Sequence, residues 1–260
     1  MKPIVFALVI GAVIFTAGPA AATHAYFGSA GDVRTHLAAG KCADENLAPV
    51  ERVKNCEIYA NSGPSGGYDG DMRVVLLARA NRLAGNYVEA ENILTAKLSL
   101  YPKNRALLSE RANAYVGDGK FDLAMADANL AVATNPDEYF AFNNRCWIRA
   151  VAGKELDAAL NDCNKAIAMH DTNANLVDSL AFVYYKCGDL KTALEKYNDA
   201  LGLDSHQWSS LYMRGVVRRA MGDIAGGNED IANARRRSNY IVEEFTGYGV
   251  KAPQQMAATP

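Results

Sequence analysis

Apolar residues recur along this chain at the three-and-four spacing of amphipathic helices, and the helical runs come in pairs. Each pair has one order: a helix with a small residue midway, a glycine turn, then a second helix with alanine near its start and Pro or Asp after it. The order returns about every 34 residues. Unit one covers 71–104, with Leu77, Ala78, Gly85, Ala90, Leu94 and Pro102. Unit two covers 105–138, with Ala112, Tyr115, Gly119, Ala124, Ala128, Ala131 and Pro136. Unit three, 139–173, has Phe142, Cys146, Gly153, Ala159, Cys163 and Ala166, and carries one extra residue in its turn. Unit four, 174–207, has Leu180, Ala181, Tyr184, Gly188, Ala193, Tyr197 and Ala200. Unit five starts at Trp208, with Leu211, Gly215, Gly222, Gly227, Ile231 and Ala234.

The spacing has a physical reading. A small residue on one helix faces a small residue on the next, so the backbones approach closely, and larger apolar residues fill the seam. Glycine ends the first helix in a left-handed backbone, and proline stops the second. No unit can bury its apolar face alone, so neighbours must stack and the ends need caps. The pattern therefore predicts an all-α solenoid of about five helix-turn-helix repeats, 71–238, with helical caps at both ends. Leu37, Val50, Val53 and Ile58 make 32–60 the N-terminal cap, joined through a Gly-rich connection to 70. Ile241, Phe245 and Tyr248 lie on one side of a short C-terminal helix, 239–248, expected to close the far end, with a disordered Ala/Gln/Pro-rich tail over 249–260.

Charged positions test the register. Arg111, Arg145 and Arg214 stand at one place in units two, three and five, and Asp127, Asp162 and Asp230 at one place on the following helix. Where the Arg gives way to an apolar residue the Asp is lost too: Leu77 goes with Ile93, and Leu180 with Lys196. An ion pair within each of three hairpins is expected, because the planar guanidinium fork holds a carboxylate bidentately.

Composition narrows the function. The chain of 260 residues is 50% hydrophobic and 22% charged, with net charge −2, which is ordinary for a folded domain. A nucleic-acid binder would need a basic face. The one dense basic run, Arg235-Arg236-Arg237, is balanced by Asp230, Glu243 and Glu244 and reads as a solvated helix face. Lys2, an apolar run from Ile4 to Ala17, the helix breakers Gly18 and Pro19, and the small residues up to Ala25 have the layout of a secretory signal peptide over 1–25, with cleavage after Ala22 or Ala25. The expected mature chain is exported and periplasmic, with no membrane span. Export permits disulfides. The five cysteines are Cys42, Cys56, Cys146, Cys163 and Cys187, so at least one stays free or pairs between chains. A helical hairpin could join Cys42 to Cys56, and Cys146 and Cys163 fall on two helices of one hairpin. These are candidate pairings, set against small buried core residues as the alternative.

These residues resemble the tetratricopeptide repeat family over roughly two-thirds of the chain, most strongly at Ala181–Asp189 with Ala193, Leu194 and Tyr197. The combination of Asn144, Arg145 and Asp162 resembles exported bacterial members. Asn81, where an aromatic is usual, and Gly227, where alanine is usual, depart from the pattern. The resemblance implies a right-handed superhelix whose first helices line a concave groove, and protein or peptide binding without catalysis. It places Arg79, Arg82, Ser109, Asn113, Asn143, Trp147, Asp178, Phe182, Tyr185, Tyr212 and Arg219 on that groove. Asn amides can bond an extended backbone, and exposed aromatics anchor interfaces. Trp147 and Phe182 could instead pack against neighbouring helices. Asn113 and Asn143 are present without the lysines of a carboxylate clamp, so that specificity is not implied.

No catalytic set stands out. The four histidines, His24, His36, His170 and His206, have neither HxxxH spacing nor CxxC companions, and the Gly66-Gly67 stretch lacks the Lys-Ser/Thr of a phosphate loop. No metal, cofactor or enzyme activity is expected. The expected role is an envelope scaffold for a protein or peptide. The alternatives are a self-associating structural protein and a glycan binder that stacks sugars on its aromatics.

Overall fold

The computed structural model describes residues 30–251 except 45 and 63–66, with the side chains of 30–34 and 67–70 also left undescribed. The expected leader and the tail beyond Lys251 lie outside the described residues. Among the described residues the chain is helical, with no strand. Two helices, α1 (Ala30–Ala43) and α2 (Pro49–Ala60), precede five hairpins. These are α3 (Gly67–Leu83) with α4 (Tyr87–Leu100), α5 (Arg105–Gly117) with α6 (Phe121–Thr134), α7 (Tyr139–Ala152) with α8 (Leu156–Met169), α9 (Ala174–Cys187) with α10 (Leu190–Leu203), and α11 (Trp208–Ala220) with α12 (Ile224–Arg235). A short helix, α13 (Ile241–Gly247), follows. Helix α3 begins four residues before the expected start at Asp71, so it takes in the end of the Gly-rich connection.

Local signals start and stop these helices. The side chains of Asn104, Asn173, Asp189 and Asp223 accept hydrogen bonds from the first-turn amides of α5, α9, α10 and α12, which satisfies orphan donors. Each hairpin turn holds one left-handed glycine: Gly85, Gly119, Gly153, Gly188 or Gly222. In unit three the expected extra residue coincides with a second left-handed position, Glu155 at φ 51°.

The seam of each hairpin is the pair of small residues that the repeat order requires. Ala78 faces the unit-one partner Ala90, and Ala112/Ala124, Cys146/Ala159 and Ala181/Ala193 follow in register, all wholly buried. Unit five replaces both with glycine. A β-carbon on Gly215 would lie 2.7 Å from the Gly227 carbonyl oxygen, and one on Gly227 would lie 2.7 Å from that of Gly215. The departure at Gly227 is therefore the means by which α11 and α12 pack most tightly. Around the seams Leu94, Leu107, Leu108, Ile148, Leu176, Tyr197, Met213 and Val216 are fully buried, each contributing roughly 1.5–3 kcal/mol by removal from water.

The three expected ion pairs are present and bidentate. Arg111 donates to Asp127 at 2.8 and 2.8 Å, Arg145 to Asp162 at 2.8 and 2.7 Å, and Arg214 to Asp230 at 2.8 and 2.8 Å. The remaining guanidinium nitrogen reaches back to the preceding unit, to Thr95, Asn129 and Asn198 respectively, at 3.0–3.1 Å. One Arg thus ties both helices of its own hairpin to the hairpin before it. Arg149 and Arg218, one turn further on, also donate to Asp162 and Asp230; in unit two Tyr115 stands there, under the Arg111 cation at 5.6 Å.

Disulfides join Cys42 to Cys56 and Cys146 to Cys163, leaving Cys187 as an exposed free thiol. The N-terminal cap is built differently from the expectation. Leu37 and Val50 are exposed, at 63% and 65%. The cap is held instead by the Cys42–Cys56 bond packed on Ala80, with Val53 beside it, and by Arg52, whose Nε donates to the Cys42 carbonyl at 2.9 Å. Asn81 is buried, donates to the Leu77 carbonyl at 3.0 Å and accepts from Asn86 at 3.2 Å, so a hydrogen-bonded amide replaces the aromatic of other units.

Candidate binding face

Successive first helices, α3, α5, α7, α9 and α11, pack on one another as well as on their own second helices, and the second helices have no comparable mutual packing. The array therefore curves with its first helices inside. The C-terminal helix does not cover the far end, as the sequence suggests. It turns back across this inner face. Phe245 packs on Tyr212 with the rings tilted (5.2 Å) and meets Phe182 edge-on (6.2 Å), and Tyr248 meets Trp147 edge-on (5.1 Å). Trp147, Phe182 and Tyr212 come from α7, α9 and α11 in turn. Phe182 also lies 4.9 Å from Trp147 and 6.0 Å from Tyr185. Lys186 donates to the Tyr248 carbonyl at 3.0 Å, and Ile241 and Val250 are buried. Val250 thus belongs to the core, although the sequence assigns it to the tail.

Toward the N-terminus the inner face is ionic. Glu110 on α5 is almost wholly buried and accepts from Arg82 at 2.8 Å and Arg79 at 3.3 Å, both on α3. Burial alone would raise the Glu110 carboxyl; the Arg82 and Arg79 guanidiniums overcome that and hold it below its usual range. Burial would likewise lower Arg82, but Glu110, with Tyr248 and Glu244 adding to it, keeps its proton tighter than in water. Arg82 is therefore the point where α3, α5 and the C-terminal segment meet. At the start of that segment Asn239 donates to the Asn46 carbonyl of the N-terminal cap at 3.5 Å.

Between these parts lies a cavity of about 820 Å³. Arg79, Arg82, Asn113, Trp147 and Asp178 of the expected groove set line it, together with Val50, Trp208, Tyr240 and Glu244. Asp178 is buried and accepts a hydrogen bond from Ser210 on α11. Burial pushes it up to about 6, against the hydrogen bonds from Ser210 and Ser209, and Glu244 adds to the rise. Phe182 and Tyr212 are buried beneath α13, and Tyr185 is half-buried beside them. Ser109 and Asn143 are half-buried but do not line the cavity. Arg219 donates to Asn228 across its own hairpin and does not line the cavity either. The sequence did not single out Glu110 or Lys186, and it read Glu244 only as a counter-charge to Arg235–Arg237. Glu110 stands beside Arg111 but bonds between units, outside the periodic Arg–Asp places. Among the described residues no three His, Cys, Asp or Glu converge as metal ligands.

The chain has a tetratricopeptide-repeat fold. A thermophilic tetratricopeptide-repeat protein of Thermus thermophilus superposes with a TM-score of 0.59 over 69% of this chain and 97% of its own, at 17% identity. A tetratricopeptide repeat protein from Parabacteroides merdae superposes with a TM-score of 0.52 over 86% of this chain and 96% of its own, also at 17% identity. No family model matches the chain. In sequence, 114 residues are 31% identical to human RNA polymerase II-associated protein 3, covering 43% of this chain and 17% of that protein's length.

Proposed function

We propose that the protein is an exported, non-catalytic scaffold of the bacterial cell envelope that holds a protein or peptide segment against the inner face of its repeats. Export is supported by the leader-like first 25 residues and by two disulfides, which persist in oxidising compartments. No helix of the described residues is long and apolar enough to cross a membrane. The observation that carries the binding role is the inner face itself. There Asn113, Arg79 and Trp147 surround a cavity of about 820 Å³, within the range of binding clefts. An amide, a cation and an aromatic ring suit a polypeptide, which offers backbone carbonyls, carboxylates and apolar side chains together.

Affinity capture from a bacterial envelope extract tests this, comparing the wild type with Asn113→Ala and Trp147→Ala. The expected result is a captured protein whose yield falls at least tenfold in both variants. Equal yield from all three would remove the inner face as the working surface.

A further inference from the structure

We infer that the segment 239–251 is a displaceable occupant of the inner face, and that the external partner is an acidic amphipathic helical peptide that takes the same seat. The inference rests on the binding role proposed above and names the class of partner. Three observations carry it.

The first is the pattern of anchors. Ile241, Phe245 and Tyr248 stand at i, i+4 and i+7, the row by which an amphipathic helix lies in a groove. Phe245 and Tyr248 are received by side chains of three successive first helices: Trp147, Phe182 and Tyr212. The seat therefore reads side chains, as a peptide site does.

The second is the way the occupant is attached. Helix α13 has seven residues and no side-chain cap at its start, well below the length at which a helix is stable alone. It follows an exposed stretch, Arg235–Arg237. Its order comes from the face it lies on, whereas α9 and α11 are each held by neighbours on both sides.

The third is charge. Once α13 leaves, the face presents Lys186, which now donates to the Tyr248 carbonyl at 3.0 Å, and Arg82, which keeps Glu110 at 2.8 Å but loses the attraction of Tyr248 and Glu244. A replacement helix needs an aliphatic residue, an aromatic four positions on, a second aromatic three beyond it, and carboxylates between, as Glu243 and Glu244 are here. The cavity beside α13 gives such a partner room to continue toward Arg79 and Asn113.

Two measurements on the full chain test the inference. In hydrogen exchange of the native wild type, the α13 amides should exchange at least tenfold faster than those of α9 and α11. Equal protection would make α13 an integral layer of the fold and overturn the inference. In the second measurement a fluorescein-labelled synthetic peptide of sequence 239–251 is titrated onto the wild type and onto Phe245→Ala/Tyr248→Ala. A tethered segment competes at an effective concentration of about millimolar, so the peptide should bind the double variant at least tenfold tighter. Absence of binding by a variant that stays helical in circular dichroism, or loss of its helicity, overturns the inference. Concentration-dependent dimers of the variant that exclude the peptide would assign the seat to a second copy and contradict it as well. None of these failures would touch envelope capture through Asn113, so the two readings fail separately.

Discussion

The indole of Trp147 meets the phenol ring of Tyr248 edge-on, with centroids 5.1 Å apart and planes at 87°. A residue of the middle repeat is thereby covered by the residue that follows α13, across the concave side rather than beyond its end. The contact also makes Trp147 a reporter of the C-terminal segment. In a Trp208→Phe background, Tyr248→Ala should expose the indole and move its emission to longer wavelength, with far-ultraviolet circular dichroism nearly unchanged. An unshifted emission would mean that Tyr248 does not cover Trp147 in solution.

The Arg–Asp pairs give a second test. Asp162 accepts from both Arg145 and Arg149, and its removal leaves two cations without their shared carboxylate. Asp162→Ala should cost about 3 kcal/mol, read as a lower urea midpoint. Arg145→Leu/Asp162→Ile, which copies the Leu77/Ile93 pair of unit one, should cost less than the single change. A double variant as unstable as the sum of its parts would mean that the two residues act independently.

Gly227 offers a third. Alanine is the usual residue there and the better helix former by about 1 kcal/mol. Here its β-carbon would meet the Gly215 carbonyl oxygen at 2.7 Å. Gly227→Ala should therefore lower stability by about 1–3 kcal/mol through overpacking. A gain in melting temperature would show that α11 and α12 leave room for a methyl group between them.

Asp178 makes stability depend on pH. Its folded pKa is raised to about 6 from 3.8, so the folded state binds the proton more tightly than the unfolded chain. The resulting stabilisation is full below about pH 4 and is lost as the pH rises through 6. Asp178→Asn keeps an acceptor for Ser210 and removes the titration. It should be more stable than the wild type at pH 7, by about 1–3 kcal/mol, and the gap should close near pH 4. Glu110 has the opposite sign: its carboxyl is held low by Arg82 and Arg79, so its contribution is present above pH 4.5 and fades below it. A pH-independent difference between wild type and Asp178→Asn would contradict the buried placement of Asp178.

What was legible in the sequence was whatever repeats. The Arg–Asp register fixed the hairpins, including the long turn of unit three, because a charge and its partner must shift together. The candidate cysteine pairings matched because both lie within single hairpins. The third guanidinium contact, to Thr95, Asn129 and Asn198, was not anticipated, although each lies 16 residues before its Arg; a polar residue at that place has no charge to mark it. Interactions without a repeat were not legible. Glu110 takes two arginines from the preceding unit, at a place no other unit uses. Leu37 and Val50 looked like core by hydrophobicity alone, but a disulfide and Arg52 hold the cap instead. The apolar side of α13 was visible in Ile241, Phe245 and Tyr248. Its destination was not, because that depends on the curvature of the whole array and on aromatics drawn from three units. Arg219 shared the spacing of groove residues, yet Asn228 draws it to its own hairpin.

The most direct test of the inner face as the working surface is site-specific photocrosslinking in envelope extract. Benzoylphenylalanine is placed at Asn113, which lines the cavity, or at Asp122, which is exposed on a second helix. A partner adduct formed at Asn113 and at least tenfold weaker at Asp122 is expected. An adduct at Asp122 with none at Asn113 would contradict the binding role assigned to the concave side.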